Sequence, residues 1–251
     1  RIDKRRAAEL RPRIDEGLLS VRVFGDYHVV VKGELITHRM WSSQKARLLL
    51  LYLILRDSRG VPAEQAIADF WPDADHNHGM NSLNVSVSTI RHVLKNFDGD
   101  IVLRADHFIR LSQTMIESSD LFRFRQLSAD GVLPEDLERA LKIYGEGGPA
   151  PEVEATWIEP VREHTHREAQ RTARRLFETY DEEADWKGME LLGQQVLSWD
   201  NLDDDGVRMV VKGLYKSRKI SLAREEYLKF AERYQREIEE EYEIPFGVLV
   251  E

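Results

Sequence analysis

Cysteine is absent from the 251 residues of this chain. Its absence rules out a disulfide framework, a thiol nucleophile and a cysteine-ligated metal site, and it suits a reducing cytoplasm. No long apolar run occurs either. The longest, LLLLYLIL at residues 48–55, falls far short of the ~20 residues that cross a bilayer. No signal peptide stands ahead of it, so a membrane protein is not expected. The phosphate-cradling Gly-x-x-x-x-Gly-Lys element is missing, as are a Gly-x-Ser-x-Gly elbow and a zinc-protease helix. GEGGP at residues 145–149 ends in proline instead of opening a helix. No enzyme chemistry and no cofactor are therefore expected. The last absence is local: in a chain with 32 % charged residues, residues 79–89 carry no charge at all.

What is present describes an ordinary globular protein, with 42 % apolar residues and enough length for two modest domains. Charge divides unevenly. Residues 1–117 hold 17 Lys+Arg against 15 Asp+Glu and six of the eight histidines, whereas residues 118–251 hold 19 against 30. A polyanionic partner therefore belongs to the N-terminal part, and the acidic remainder suits a protein partner or self-association. Residues 1–18, polar with a basic KRR and Pro12, read as a linker or the end of an upstream domain. A chain that starts at Arg1 leaves room for a sensory domain before it.

From Leu19, LSVRVFGDYHVVVKGELI carries β-branched runs broken at Gly25-Asp26 and Lys32-Gly33, which suit tight hairpins. Ser42 or Ser43 can cap a helix through Leu55, and Gly60 supplies its stop. A short helix is predicted over 63–70, closed by Trp71-Pro72, and a long one from a cap at Asp75 to about Asn96. IVLRADHFIRLS, residues 101–112, alternates around RAD as a small hairpin does. Strands, three helices and a hairpin are the order of a winged helix. The expected architecture is an α+β winged helix over 19–117 followed by an all-α domain over 118–251. Helices in the second part are predicted at 119–129, 134–144, 156–183, 186–199, 203–217 and 222–242. A 34-residue spacing pairs Tyr180 with Leu214, Trp186 with Ile220, Met189 with Ala223 and Val196 with Phe230. That period belongs to tetratricopeptide-like helix pairs. Leu176, Tyr180, Trp186, Leu192 and Val196 are the expected core there.

On a helix through the uncharged stretch, Met80, Leu83, Val87, Ile90 and Leu94 form one apolar stripe. The opposite face carries Asn81, Val85, Ser88, Thr89 and His92, with Ser82 at its edge and Arg91 and Lys95 flanking. A solvated face would ordinarily use Glu, Lys and Arg. Short hydrogen-bonding side chains around an exposed valine instead suit base edges in a DNA groove, with Arg91 and Lys95 on phosphates. Polar packing against another subunit is the competing account of the same face. Arg104 stands where a wing tip would reach the neighbouring minor groove, with His107 beside it.

Those residues resemble a family. KARLLLLYLILRDSRGVPAEQAIADFWPDAD, residues 45–75, is similar to the winged-helix half of bacterial activators of the Streptomyces antibiotic regulatory protein type, whose DNA-binding domain is of the OmpR type. NSLNVSVSTIRHVL continues the match as the recognition helix. SSDLFRFRQL, ALKIYGEGG, WIEPVREH and REIEEEYEIP resemble the tetratricopeptide-like bacterial transcriptional activator domain that follows it. The resemblance implies binding to promoter repeats in double-stranded DNA and recruitment of RNA polymerase. By position, Ser82, Val85, Ser86 and Thr89 would approach bases, Arg91 a phosphate, and Arg104 the wing contact. Trp71, Asp73, Asp75, His76 and His78, in the loop between the second and third helices, would face polymerase. Where members often carry arginine, this chain has Met80, Asn84, Thr89 and His92. Fewer cations lower nonspecific affinity and its salt slope. The helix is then either a weaker binder that depends on a second copy or an upstream domain, or one that no longer binds. Protonation of His76, His78, His92 and His107 in mild acid would restore part of the charge.

Two weak metal candidates exist, His76 and His78 with Asp73 and Asp75, and His164 and His166 with Glu163. A His-x-His pair on a helix points to different sides, and surface histidine is the simpler account of both. Two functional classes remain: a DNA-reading transcription regulator, and a protein-interaction module whose winged helix has degenerated. A nucleotide-handling enzyme would need an upstream domain.

Overall fold

The computed structural model describes residues 19–251 apart from 57, 58, 98, 106 and 146. The expected linker over 1–18 lies outside the described residues. The chain forms two compact units: one runs to Arg123 and takes in Pro149–Arg162, and the other comprises Phe124–Gly148 and Glu163–Glu251.

The first unit opens on three antiparallel strands in spatial order β1-β2-β3: β1 (Leu19–Arg22), β2 (His28–Val31) and β3 (Glu34–Ile36). Val29 pairs with Val21 and Ile36, and Val31 with Leu19, so one face of the sheet is a valine- and leucine-rich surface. The β2–β3 turn places Lys32 (φ 48°) and Gly33 (φ 79°) in the left-handed region that a two-residue hairpin demands. Ser43 then caps α1 (Gln44–Leu55), its hydroxyl accepting from the Ala46 N–H at 3.3 Å. Leu49 through Leu55 are all buried, as a helix with no polar face requires. A short strand β4 (Val61–Pro62), helix α2 (Ala63–Phe70) and helix α3 (His76–Val93) follow, then a hairpin of β5 (Val102–Ala105) and β6 (Phe108–Leu111).

Two pairings between distant segments of this unit were not expected. Strand β4 pairs with β6 and completes a second sheet in the order β4-β6-β5. Gly60 therefore serves a different purpose from a helix stop, since α1 is already capped at Arg56. At φ +69° it lies so close to β6 that a Cβ would stand 2.5 Å from the Ile109 carbonyl oxygen. Second, the segment 149–162 returns to this unit. Ala150 N–H donates to the Val23 carbonyl at 2.7 Å, Glu152 accepts from Tyr27 N–H at 3.0 Å, and Arg162 gathers the carbonyls of Pro149, Ala150 and Val153. The Trp157 ring stacks on Phe70 at 5.7 Å and meets Tyr52 edge-on at 5.1 Å.

Past the hairpin come α4 (Gln113–Glu117) and α5 (Asp120–Leu127). Asp120 accepts from the backbone N–H groups of Val23 (2.7 Å) and Phe24 (3.2 Å), fastening the start of α5 to the chain leaving β1. Burial pushes its carboxyl up to about 7 from the ordinary 3.8, against the two N–H donors and nearby Arg22, which favour the ionised form. A raised carboxyl binds its proton more tightly in the folded state, so this contribution is full below about pH 4 and declines until about pH 7. Relative to Asp120→Asn, which cannot titrate there, wild-type stability should fall across that range by on the order of 4 kcal/mol. Urea midpoints of the two proteins between pH 4 and 8 measure it; a constant difference would contradict the assignment.

The second unit is helical: α6 (Pro134–Tyr144), the part of α7 (Glu159–Glu183) from residue 163 on, α8 (Trp186–Trp199), α9 (Asp204–Lys216), α10 (Ile220–Ile238) and α11 (Phe246–Leu249). Helices α8 and α10 begin 34 residues apart, and Val196 and Phe230, like Met189 and Ala223, are buried at matching positions. Leu176, Leu192 and Val196 are core as expected, whereas Tyr180 and Trp186 are half-buried, with the Tyr180 hydroxyl donating to Glu138 at 2.7 Å. Glycines let α8 and α9 touch at their backbones. A Cβ on Gly193 would lie 2.7 Å from both Gly206 O and Val210 N, and one on Gly213 would lie 2.8 Å from Trp186 O. Lys212, buried in α9, pairs with Asp181 of α7 at 2.9 Å. The predicted last helix stops at Ile238 because Glu239 turns left-handed (φ 64°), and the acidic run 237–241 is exposed.

Candidate nucleic-acid interface

The uncharged stretch lies on α3. Asp75 caps it through both carboxylate oxygens: one accepts from His78 N–H at 2.9 Å and the other meets His78 Nδ1 at 2.6 Å. These bonds hold the Asp75 carboxyl below the usual carboxylate range. Gly79 is buried against Ile67 of α2, where a Cβ would overlap the isoleucine side chain, so the two helices cross closely at this point. Leu83, Val87, Ile90 and Leu94 are no more than 3 % exposed and anchor the inner side of the helix. Met80 sits at the rim of that stripe, half-buried.

The outer side is open. Asn81, Asn84, Val85, Ser88, Arg91, His92 and Lys95 are exposed, Val85 to 65 %. Ser82 and Thr89 are half-buried, and the Thr89 hydroxyl donates to the Val85 carbonyl at 3.0 Å. Ser86 is a correction. It is only 4 % exposed, because at three residues after Leu83 and four before Ile90 it belongs to the inner stripe, so it faces the core and not a base edge. Asn84 is the residue that sequence reasoning missed; spaced three from Asn81 and four from Ser88, it shares their face.

The hairpin meets this helix through two guanidinium groups running in opposite directions. Arg91 of α3 donates to the Val102 carbonyl of β5 at 2.7 Å. Arg104 of β5 donates from Nη1 to Asn84 Oδ1 and approaches Met80 Sδ from Nη2 at 3.3 Å. Arg104 is thus turned back over α3 instead of reaching out from the hairpin tip, because the hairpin turn lies further along the chain, at His107 (φ 69°). His107 is exposed, and its carbonyl accepts from Ala63 N–H at 2.7 Å. In the loop between α2 and α3, Asp73, Asp75, His76 and His78 are exposed. Trp71 is half-buried beside Phe70, with the Lys45 ammonium 5.4 Å from its ring centroid.

The histidines of the second pair have protein partners: His164 lies 3.5 Å from Glu168 and His166 accepts or donates a bond with the Tyr144 hydroxyl at 3.0 Å. Among the described residues, no group of three or more His, Cys, Asp or Glu is placed to hold a metal ion, and no helix is long and apolar enough to cross a membrane.

Fold and site together define a winged helix followed by a tetratricopeptide-like helical region, the architecture that the resemblance to the antibiotic-regulatory type implies. Among solved structures, that of Mycobacterium tuberculosis EmbR in complex with a low-affinity phosphopeptide has the same fold. The match has a TM-score of 0.74 and 16 % identity, and covers 93 % of this chain and 64 % of that one. Among curated proteins, UvrABC system protein B from two strains of Xanthomonas oryzae pv. oryzae, PXO99A and MAFF 311018, is 29 % identical over 150 residues, or 58 % of this chain. The matched stretch spans only 22 % of the length of those proteins. No protein-family model matches the chain.

Proposed function

We propose that the protein is a sequence-specific DNA-binding transcription regulator, an activator that lays the outer face of α3 in the major groove of promoter repeats. The observation that carries this reading is the uncharged, exposed face of Asn81, Asn84, Val85 and Ser88, rimmed by Arg91, His92 and Lys95. Amides and hydroxyls can exchange hydrogen bonds with base edges, a small apolar group can meet a thymine methyl, and the flanking cations hold phosphates. The fold shared with EmbR supports a regulatory role. The stretch shared with UvrABC system protein B is too small a share of that protein to bring its activity here.

On this reading Trp71, Asp73, Asp75, His76 and His78 form the surface offered to RNA polymerase, and two copies bind adjacent repeats. A single recognition helix with so few cations gains the affinity it lacks from a second. On this reading the protein works in the cytoplasm. The winged helix takes residues 19–117 and the activator domain 118–251, with 149–162 as a strap bound back on the first.

Selection of bound sites from a pool of random duplexes tests the reading. One enriched motif, recurring at a fixed spacing, is the expected result. An unenriched pool would favour a second reading, a protein-interaction module, to which one observation points: Arg91 and Arg104 both spend hydrogen bonds within the chain.

A further inference from the structure

The geometry assigns Arg104 and Asn84 a shared role, as a donor-rich pair on the outer face of α3 that selects guanine at the base pair they meet. The assignment rests on the DNA-binding reading above and specifies its chemistry. A guanidinium has no acceptor, so the atom of Asn84 that faces Arg104 has to be the carbonyl oxygen, which fixes which way the amide points. Left alone, an exposed asparagine presents one donor and one acceptor side by side, the arrangement that pairs bidentately with adenine. Here the carbonyl oxygen already accepts from Arg104, which uses one of its two lone pairs and holds it against the guanidinium, and the end turned to a ligand is the NH2 group with its two donors.

The arginine contributes donors of its own. Nη1 is on Asn84 and Nη2 is beside Met80 Sδ at 3.3 Å, and each nitrogen of that planar fork keeps a further N–H. Met80 and Asn84 are one helical turn apart, so the guanidinium rests along the helix surface at the height of Met80 and Asn84, and it is exposed there. Guanine is the base whose major-groove edge offers two acceptors, N7 and O6, and no donor. Adenine would set its N6 amino group against an N–H, which costs an unpaired donor on each side. A cation carried by the hairpin thereby does base reading on a helix whose own outer face between 79 and 89 is uncharged.

The test is a base-preference profile, measured by binding to a set of duplexes that carry every single substitution of the selected motif. It is run with the wild-type chain, Arg104→Ala and Asn84→Ala. One position should prefer guanine over adenine by about tenfold or more in wild type. Both variants should lose that preference at the same position and keep the rest of the profile, which also shows that they are folded. Arg104→Ala, which frees the Asn84 amide, should admit adenine there. If Arg104→Ala instead weakens all sequences equally, the arginine is a phosphate contact. If it changes only the flanking A·T preference, it is a minor-groove contact. Either outcome overturns the assignment while leaving the DNA-binding reading in place. A wild-type profile that is flat at every position overturns that reading, and the assignment with it.

Discussion

Trp157→Ala should destabilise the first unit by about 3–5 kcal/mol, the range for removing a large buried aromatic side chain. Trp157 is 8 % exposed and joins the ring of Phe70, at the end of α2, to that of Tyr52 in α1. Tyr52 in turn donates to Asp69 at 2.6 Å, so the indole closes a cluster that sets where α2 ends and the loop to α3 begins. Alanine leaves a cavity under both rings, and the strap it belongs to loses its only aromatic anchor among the described residues 149–162. Trp157→Phe keeps part of the stacking and should cost less than half as much. Chemical denaturation followed by backbone circular dichroism measures both. An alanine variant within about 1 kcal/mol of wild type would show that the strap contributes little to the fold of the winged helix.

Gly193→Ala should lower the stability of the helical unit by about 2–3 kcal/mol, although alanine is the better helix former by roughly 1 kcal/mol. The sign is decided by what the new methyl meets. It would stand 2.7 Å from two backbone atoms of α9, Gly206 O and Val210 N, and backbone in a helix has no rotamer with which to move aside. Helices α8 and α9 have to separate, and the buried Val196, Met209 and Val210 lose contacts as they do. Gly247→Ala is the control: it lies in α11, nothing stands within 4 Å of its Cβ position, and propensity alone should act there. Thermal melting of the two variants should give opposite shifts. A Gly193→Ala protein that melts at or above wild type would contradict the close backbone approach.

Local signals are legible in the sequence, and contacts between distant segments are not. Ser43 and Asp75 cap the helices that the cap rules assign to them, and 63–70, 134–144 and 186–199 have the predicted limits, since caps, prolines and apolar spacing are written within one turn of each end. Strand β4 is two residues long and is a strand only because Ile109 lies beside Val61. The return of 149–162 likewise depends on contacts with residues far earlier in the chain, such as Tyr27 N–H to Glu152 and the Trp157 ring on Phe70. At the site, the inner and outer sides of α3 follow from helical rotation. Ser86 is misplaced when assigned by position within a family resemblance; rotation puts it between Leu83 and Ile90. The fold of Arg104 onto Asn84 has no sequence signal, because the pairing joins a strand to a helix twenty residues away.

The outer face of α3 is expected to meet DNA, and Val85 is the residue on which this can be tested with least disturbance. At 65 % exposure its side chain supports no packing that the fold needs. Titration of the selected duplex with wild type and Val85→Glu, at several salt concentrations, is the direct measurement. A carboxylate placed against base edges and phosphates should weaken binding at least about tenfold at low salt, while wild-type affinity falls with salt as counterions are recaptured. Equal affinity of the two proteins, with circular dichroism unchanged, would contradict that expectation.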